Sequence, residues 1–165
     1  MSDILNDAKI FVANLGKLDR GEMATVRKCI TKHRFVEGGI VIEPLITHVN
    51  SESLRECYYW IAALFAFHPE NLNEGNMGTT CKTLAVDTSG NIIPSRKQKF
   101  YMLVTSQKEN LFSYLFSYVR MAASMAVPIN YAQLLCDLFW WEREDKVQHQ
   151  WNREFARGTK NEQND

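Results

Sequence analysis

The chain has 165 residues, 45% of them hydrophobic and 12% aromatic, enough to bury one sizeable core, so a single domain is expected rather than a string of modules. Its 19 basic and 19 acidic residues balance to a net charge of zero, which excludes a protein that wraps nucleic acid over its whole surface. The cysteines Cys29, Cys57, Cys81 and Cys136 are scattered without CxxC spacing, and "MSDILNDAKI" has acids where an export signal needs a basic start and an apolar run, so a cytoplasmic protein with reduced thiols is expected.

In chain order, an amphipathic N-terminal helix closes at Leu15 and Leu18. Asp19, followed three positions on by Glu22, has the form of a capping box and predicts a second helix whose inward stripe is Met23, Val26 and Ile30. That stripe sets Arg27 at its edge and turns Lys28 outward as a free cation. Two breakers follow, Gly38-Gly39 and Pro44, and "GGIVIEP" is the one stretch with a trace of period-two alternation.

Leu54, Cys57/Tyr58, Ile61 and Leu64/Phe65 predict a central helix that Pro69 ends. Its apolar core, "YYWIAALFAF", is far short of the about 20 residues needed to span a bilayer. "PENLNEGNMG", 69–78, is the strongest loop and a candidate hinge between two helical halves. "TTCKTLAV" predicts a short helix entered through Thr79, and "DTSGN" the next turn. From Ser95 the pattern is helical with Phe100, Leu103 and Val104 inward. A longer helix follows with Leu111, Tyr114/Leu115, Tyr118/Val119 and Ala122, stopped by Pro128. Asn130 caps a last helical region whose inner face is Tyr131, Leu134/Leu135, Leu138 and Trp141, and after the charged break "EREDK" that face continues at Val147, Trp151 and Phe155. The expected fold is all-α, a compact bundle of about six to eight helices, with one domain over 1–157 and a disordered tail over 158–165.

Catalytic chemistry lacks its handles. Cys29 and His33 are four apart, but a zinc site needs two further ligands at a related spacing, and none is offered. His48, His68 and His149 are isolated, and there is no HExxH, GxSxG or phosphate-cradling glycine loop. Glu142, Glu144 and Asp145 are interleaved with Arg143 and Lys146, the pattern of a solvated, salt-bridged turn. Trp141 and Trp151 fall in register with the apolar stripe and are expected in the core, while Trp140 and Tyr101 remain open to a stacking role. No catalytic residue, metal, cofactor or small-molecule substrate is therefore expected.

Charge is distributed less evenly than its total implies. Thr25 to Arg34 carries Arg27, Lys28, Lys32 and Arg34 without an acid, and Ser95 to Lys108 carries Arg96, Lys97, Lys99 and Lys108, again without one. A solvated helix face mixes signs, so two acid-free clusters point to an anion, the phosphate backbone being the obvious one. The reading from another class is a helical scaffold or adaptor whose basic clusters bind acidic protein surfaces, and an unrecognised enzyme is the weaker third.

Three blocks carry a resemblance to a known family. "LDRGEMATVRKC" resembles the signature of the CasB small subunit of the type I-E CRISPR surveillance complex Cascade, with Leu18, Gly21, Ala24, Arg27 and Lys28 in its recurring places. "SRKQKFYMLVTSQKENLFSYL" is similar to that family's basic helix, with Lys99, Phe100, Leu103, Val104 and Lys108 matching and Gln98 where the family has an arginine. "INYAQLLCDLFWWEREDKVQHQWNREFAR" looks like its C-terminal segment, keeping Leu134, Leu135, Asp137, Leu138, Trp141, Trp151 and Phe155, with Asn130-Tyr131 in place of Asp-Trp. The blocks occur in the family's order and cover most of the chain.

The resemblance implies a non-catalytic helical subunit, present as a head-to-tail pair beside the large subunit and the backbone subunits that carry the crRNA. Such a subunit holds the displaced non-target DNA strand and steadies the R-loop. Base pairing with the guide supplies sequence specificity, so the subunit needs only a positive track on part of its surface, and a neutral total is acceptable. By carry-over, Arg27, Lys28, Lys99 and Lys108 are assigned to nucleic-acid contact, and by proximity Lys82, Arg96, Lys97 and Arg143. No membrane partner is implied.

Overall fold

A computed structural model of the protein describes residues 2–31 and 34–157. Lys32, His33 and the tail from 158 lie outside the described residues, and with them the Cys29/His33 pairing and the expected disorder of the tail. Among the described residues there are nine α-helices: α1 (Ser2–Leu15), α2 (Arg20–Arg27), α3 (Phe35–Ile42), α4 (Glu52–Phe67), α5 (Met77–Ala85), α6 (Pro94–Val104), α7 (Lys108–Met125), α8 (Tyr131–Phe139) and α9 (Lys146–Ala156). Short 3-10 turns at Lys28–Ile30 and Glu43–Leu45 extend α2 and α3, and two isolated bridges, Asn71 with Ile129 and Val86 with Ile92, are the β pairing present among these residues. The fold is all-α, with one helix more than the upper end of the expected count.

The extra helix is α3, where the sequence suggests breakers and a trace of strand. Gly38 and Gly39 lie inside it and are buried. A Cβ on Gly38 would sit 2.0 Å from the Cys29 Sγ, and one on Gly39 2.7 Å from the Tyr59 hydroxyl. These glycines let α3 approach its neighbours closely, so their signal is one of packing rather than of a turn. The same holds at α5, which begins at Met77 rather than Thr79 because Asn76 and Thr79 form a capping box, and which contains Gly78.

The helix starts follow from their caps. Asp19 accepts from the Glu22 backbone N–H at 2.8 Å, and the Glu22 carboxylate accepts from the Asp19 N–H at 2.9 Å, the reciprocal box expected from the sequence. The Asn130 side chain caps α8 by accepting from the Gln133 N–H at 3.1 Å. α7 ends at Met125, where Ala126 takes a left-handed φ of 53°, before Pro128 can act. The break between α8 and α9 places Glu144 and Asp145 at φ 52°, an uncommon conformation for residues with a Cβ.

α4 is the centre. From Cys57 to Ala66 every residue is buried, as an all-round apolar helix must be, and it contacts α1, α2, α3, α7 and α8. α5 packs on α6, α7 and α9 to form the second part of the bundle, and α4 with α7 joins the two. Phe100 of α6 stacks on Phe155 of α9 with centroids 4.0 Å apart, and Trp141 and Trp151 are buried 5.0 Å from each other, as their register predicts. The loop at 69–78 is no free hinge. Leu72 N–H donates to Ile129, Ile129 N–H donates to Glu70, and the Asn130 amide reaches the Gly75 carbonyl at 3.0 Å, which ties the loop to the start of α8. No helix among the described residues is long and apolar enough to cross a membrane.

Candidate nucleic-acid interface

The second basic cluster lies on α6, which Pro94 starts at a position where its missing N–H costs nothing. Phe100, Leu103 and Val104 pin one face to the core, and this turns Arg96 and Lys99 toward α5 and α7. The Arg96 guanidinium donates to the Leu84 carbonyl at 2.6 Å, in the last turn of α5 where the helix dipole is negative, and lies 3.0 Å from the Met121 Sδ. Lys99 donates to the Ser117 hydroxyl at 2.6 Å and its ammonium lies 5.2 Å from the centre of the Tyr118 ring.

Burial pushes the Lys99 amine below its usual pKa, and the charges of Arg96 and Arg120 push it further the same way. Arg120, exposed on α7 with its guanidinium 5.8 Å from the Phe116 ring, completes the group. Three cations from two helices thus stand close enough to repel one another, and none of them has a carboxylate partner among the described residues. Lys97 is exposed on α6, and Lys82 is half-buried in the last turn of α5. An anion docked here would relieve the repulsion and return Lys99 toward its ordinary basicity.

The first basic cluster is different. Arg27 donates through Nε to the Ala66 carbonyl at 3.1 Å, at the end of α4. Lys28 is not the free cation the stripe predicts: its ammonium lies 3.1 Å from the Glu37 carboxylate, which also takes Arg34 at 2.9 Å. Hydrogen bonds from Arg34 and Lys28 hold the Glu37 carboxyl below the usual range. Glu37 comes from α3, so the acid-free segment meets its acid across the turn. Lys108 sits 3.7 Å from Glu142. Arg143 lies 4.5 Å over the Trp140 ring, which gives that tryptophan a cation on its face.

The structure thus divides the eight residues named from the sequence. Arg96, Lys97 and Lys99 all lie on α6, where Arg96 and Lys99 face α7 and Lys97 is exposed, and Lys82 lies in the last turn of the neighbouring α5. Arg27, Lys28, Lys108 and Arg143 lie elsewhere, two of them beside a carboxylate. Lys108 opens α7 and Arg120 stands 12 residues along it, a separation of about 18 Å at 1.5 Å per residue. Arg120 is not among the residues the sequence singles out, although a signal exists: it is the one charged residue between Glu109 and Asp137.

A family model for the CRISPR-associated protein Cse2 matches residues 14–155. The chain belongs to the Cse2 family. This supports the family resemblance read from its three sequence blocks. Solved structures share the fold: CasB of M. ruber superposes with a TM-score of 0.77 at 23% identity, covering 92% of this chain and 93% of that one. A Cse2-family protein from Thermus thermophilus gives 0.76 at 22% identity, over 90% and 96%. A chain of a CRISPR RNA-guided surveillance complex gives 0.79 at 22% identity, over 93% and 94%. No curated protein is similar enough to match.

Proposed function

We propose that this Cse2-family chain is the non-catalytic small subunit of a cytoplasmic CRISPR RNA-guided surveillance complex, and that it holds the displaced non-target DNA strand by its phosphates and so steadies the R-loop. Its partners in this reading are a second copy of itself, the large and backbone subunits, and the crRNA-bearing assembly. The observation that carries the proposal is the cluster of Arg96, Lys99 and Arg120, which has no carboxylate partner among the described residues. Lys97 and Lys82 extend it. Arg27 and Arg143 are secondary contacts, and Lys28 and Lys108 contribute least because each already faces a carboxylate. Base identity is irrelevant to such a surface, which suits a strand whose sequence is dictated by the guide.

The test is oligo-dT binding by the protein across a salt series, wild type against a Lys97→Ala/Lys99→Ala/Arg120→Ala variant whose circular dichroism is unchanged. Arg96 is left in place because it anchors α5. Each lost phosphate contact should flatten the log–log salt slope by about 0.7. An unchanged slope refutes the assignment. Polyglutamate binding as tightly as oligo-dT would favour an adaptor for acidic proteins instead.

A further inference from the structure

The far end of α7 carries a groove of opposite character. About 540 Å³ in volume, it runs between the start of α7, α4 and the turn after α2. Its apolar surface comes from Trp60, Phe112 and Phe35, with the Trp60 and Phe112 rings 5.2 Å apart. Among the described residues, three carboxylates, Glu56, Glu109 and Glu142, line it together with one cation, Lys108. Lys108 lies 3.7 Å from Glu142, so Glu56 and Glu109 have no cationic partner among the described residues. Phosphate is the wrong occupant for the described lining, because its three carboxylates against one ammonium repel it.

We propose that this groove receives an arginine side chain from a neighbouring protein chain, the guanidinium lying against the Trp60 and Phe112 rings and donating to Glu56 and Glu109. Arginine fits better than lysine: its planar, weakly hydrated head stacks on aromatic faces, and its fork of donors can serve two carboxylates at once. An aromatic surface beside unpaired acids is also what a protein-facing surface needs, whereas the cluster on α6 and α7 suits a polyanion. The groove uses Lys108 to Ser113 of α7 and the cationic cluster Ser117 to Met121, so the two surfaces share no residue.

The test follows the groove in the ¹⁵N-labelled protein. The probes are a blocked pentapeptide with one central arginine flanked by leucines, the same peptide with glutamate in that place, and oligo-dT. The arginine peptide is expected to shift the Trp60 indole resonance, assigned with Trp60→Phe, and the amides around Phe112. A Glu56→Gln/Glu109→Gln variant with wild-type circular dichroism should bind it roughly three- to tenfold more weakly, the scale of two partly exposed ion pairs. No groove shift at tens of millimolar peptide overturns the proposal. So does equal binding of the glutamate peptide, or no weakening in the double variant. Groove shifts that follow protein concentration and ignore the arginine peptide overturn it as well, since the groove is then covered by a second copy without recognising an arginine. Oligo-dT shifts at α6 report on the nucleic-acid reading separately, so either proposal can fail without the other.

Discussion

Asp137 is buried on α8, where its carboxylate accepts from the Trp151 indole N–H at 2.7 Å and from the Gln133 amide at 2.9 Å. Burial raises its pKa from 3.8 to about 6, and the two hydrogen bonds offset only part of that rise. A raised folded-state pKa means that the native protein keeps a proton which the unfolded chain has already released, so stability falls as pH climbs between the two values. The contribution is complete below 3.8 and is lost as pH passes through about 6. At about 1.4 kcal/mol per pKa unit the difference is worth roughly 3 kcal/mol. Asp137→Asn keeps the shape and an acceptor for the indole but carries no charge. Urea unfolding of both proteins, followed by circular dichroism at a series of pH values, gives two stability curves. Their difference cancels every other titrating group. The asparagine variant should gain on wild type by roughly 3 kcal/mol across that window and then level off. A flat difference, or wild type gaining with rising pH, would show that the indole and amide hold Asp137 as a stable carboxylate and would refute the reasoning.

Two further outcomes test the packing and the caps. A Cβ on Gly78 would lie 2.2 Å from the Trp151 carbonyl oxygen, backbone against backbone, so Gly78→Ala must part α5 from α9 and should cost about 3 kcal/mol, read as a fall in the urea midpoint. Gly90→Ala, at φ 83° with nothing within 4 Å, should cost only about 1 kcal/mol from backbone strain, and equal losses at both sites would discredit the clash. Asp19→Ala removes one side of the capping box and should cost about 1 kcal/mol. Hydrogen exchange should accelerate at the Glu22 amide while α4 stays protected, and unchanged exchange at Glu22 would count against the cap.

The parts of the fold legible in the sequence are those where one chemical cause acts locally. The Asp19–Glu22 box, the Asn130 cap and the apolar stripes of α4, α6 and α7 each announce themselves within a few residues. Gly38, Gly39 and Gly78 mislead for a shared reason: each is small because a side chain or backbone of another element presses on it, and that neighbour is not visible in the local sequence. The charges behave alike. Lys28 and Glu37 are nine positions apart and meet only because α3 folds back on the turn after α2, so a window ending at Arg34 counts the bases and misses their acid. For Arg120 the reverse holds, since its isolation in an apolar helix is visible in the sequence but its proximity to Arg96 and Lys99 is a product of the α6–α7 packing.

A net charge of zero is therefore compatible with a polyanion surface because neutralisation is local. Glu37 quenches Lys28 and Arg34, and Glu142 faces Lys108, while Arg96, Lys99 and Arg120 are left to oppose one another. Keeping Lys99 half-buried beside Arg96 and Arg120 costs stability, which its bond to Ser117 and the Tyr118 ring offset in part and which a docked anion would offset further. Lys146, by contrast, is exposed and pairs with Glu144 at 3.0 Å. The same accounting applied to Glu56 and Glu109 leaves two carboxylates beside aromatic rings without a cationic partner among the described residues, a surface complementary to a cation rather than to an anion. Opposite charge imbalances along α7 thus give the bundle two surfaces of different chemistry, one suited to an anion and the other to a cation.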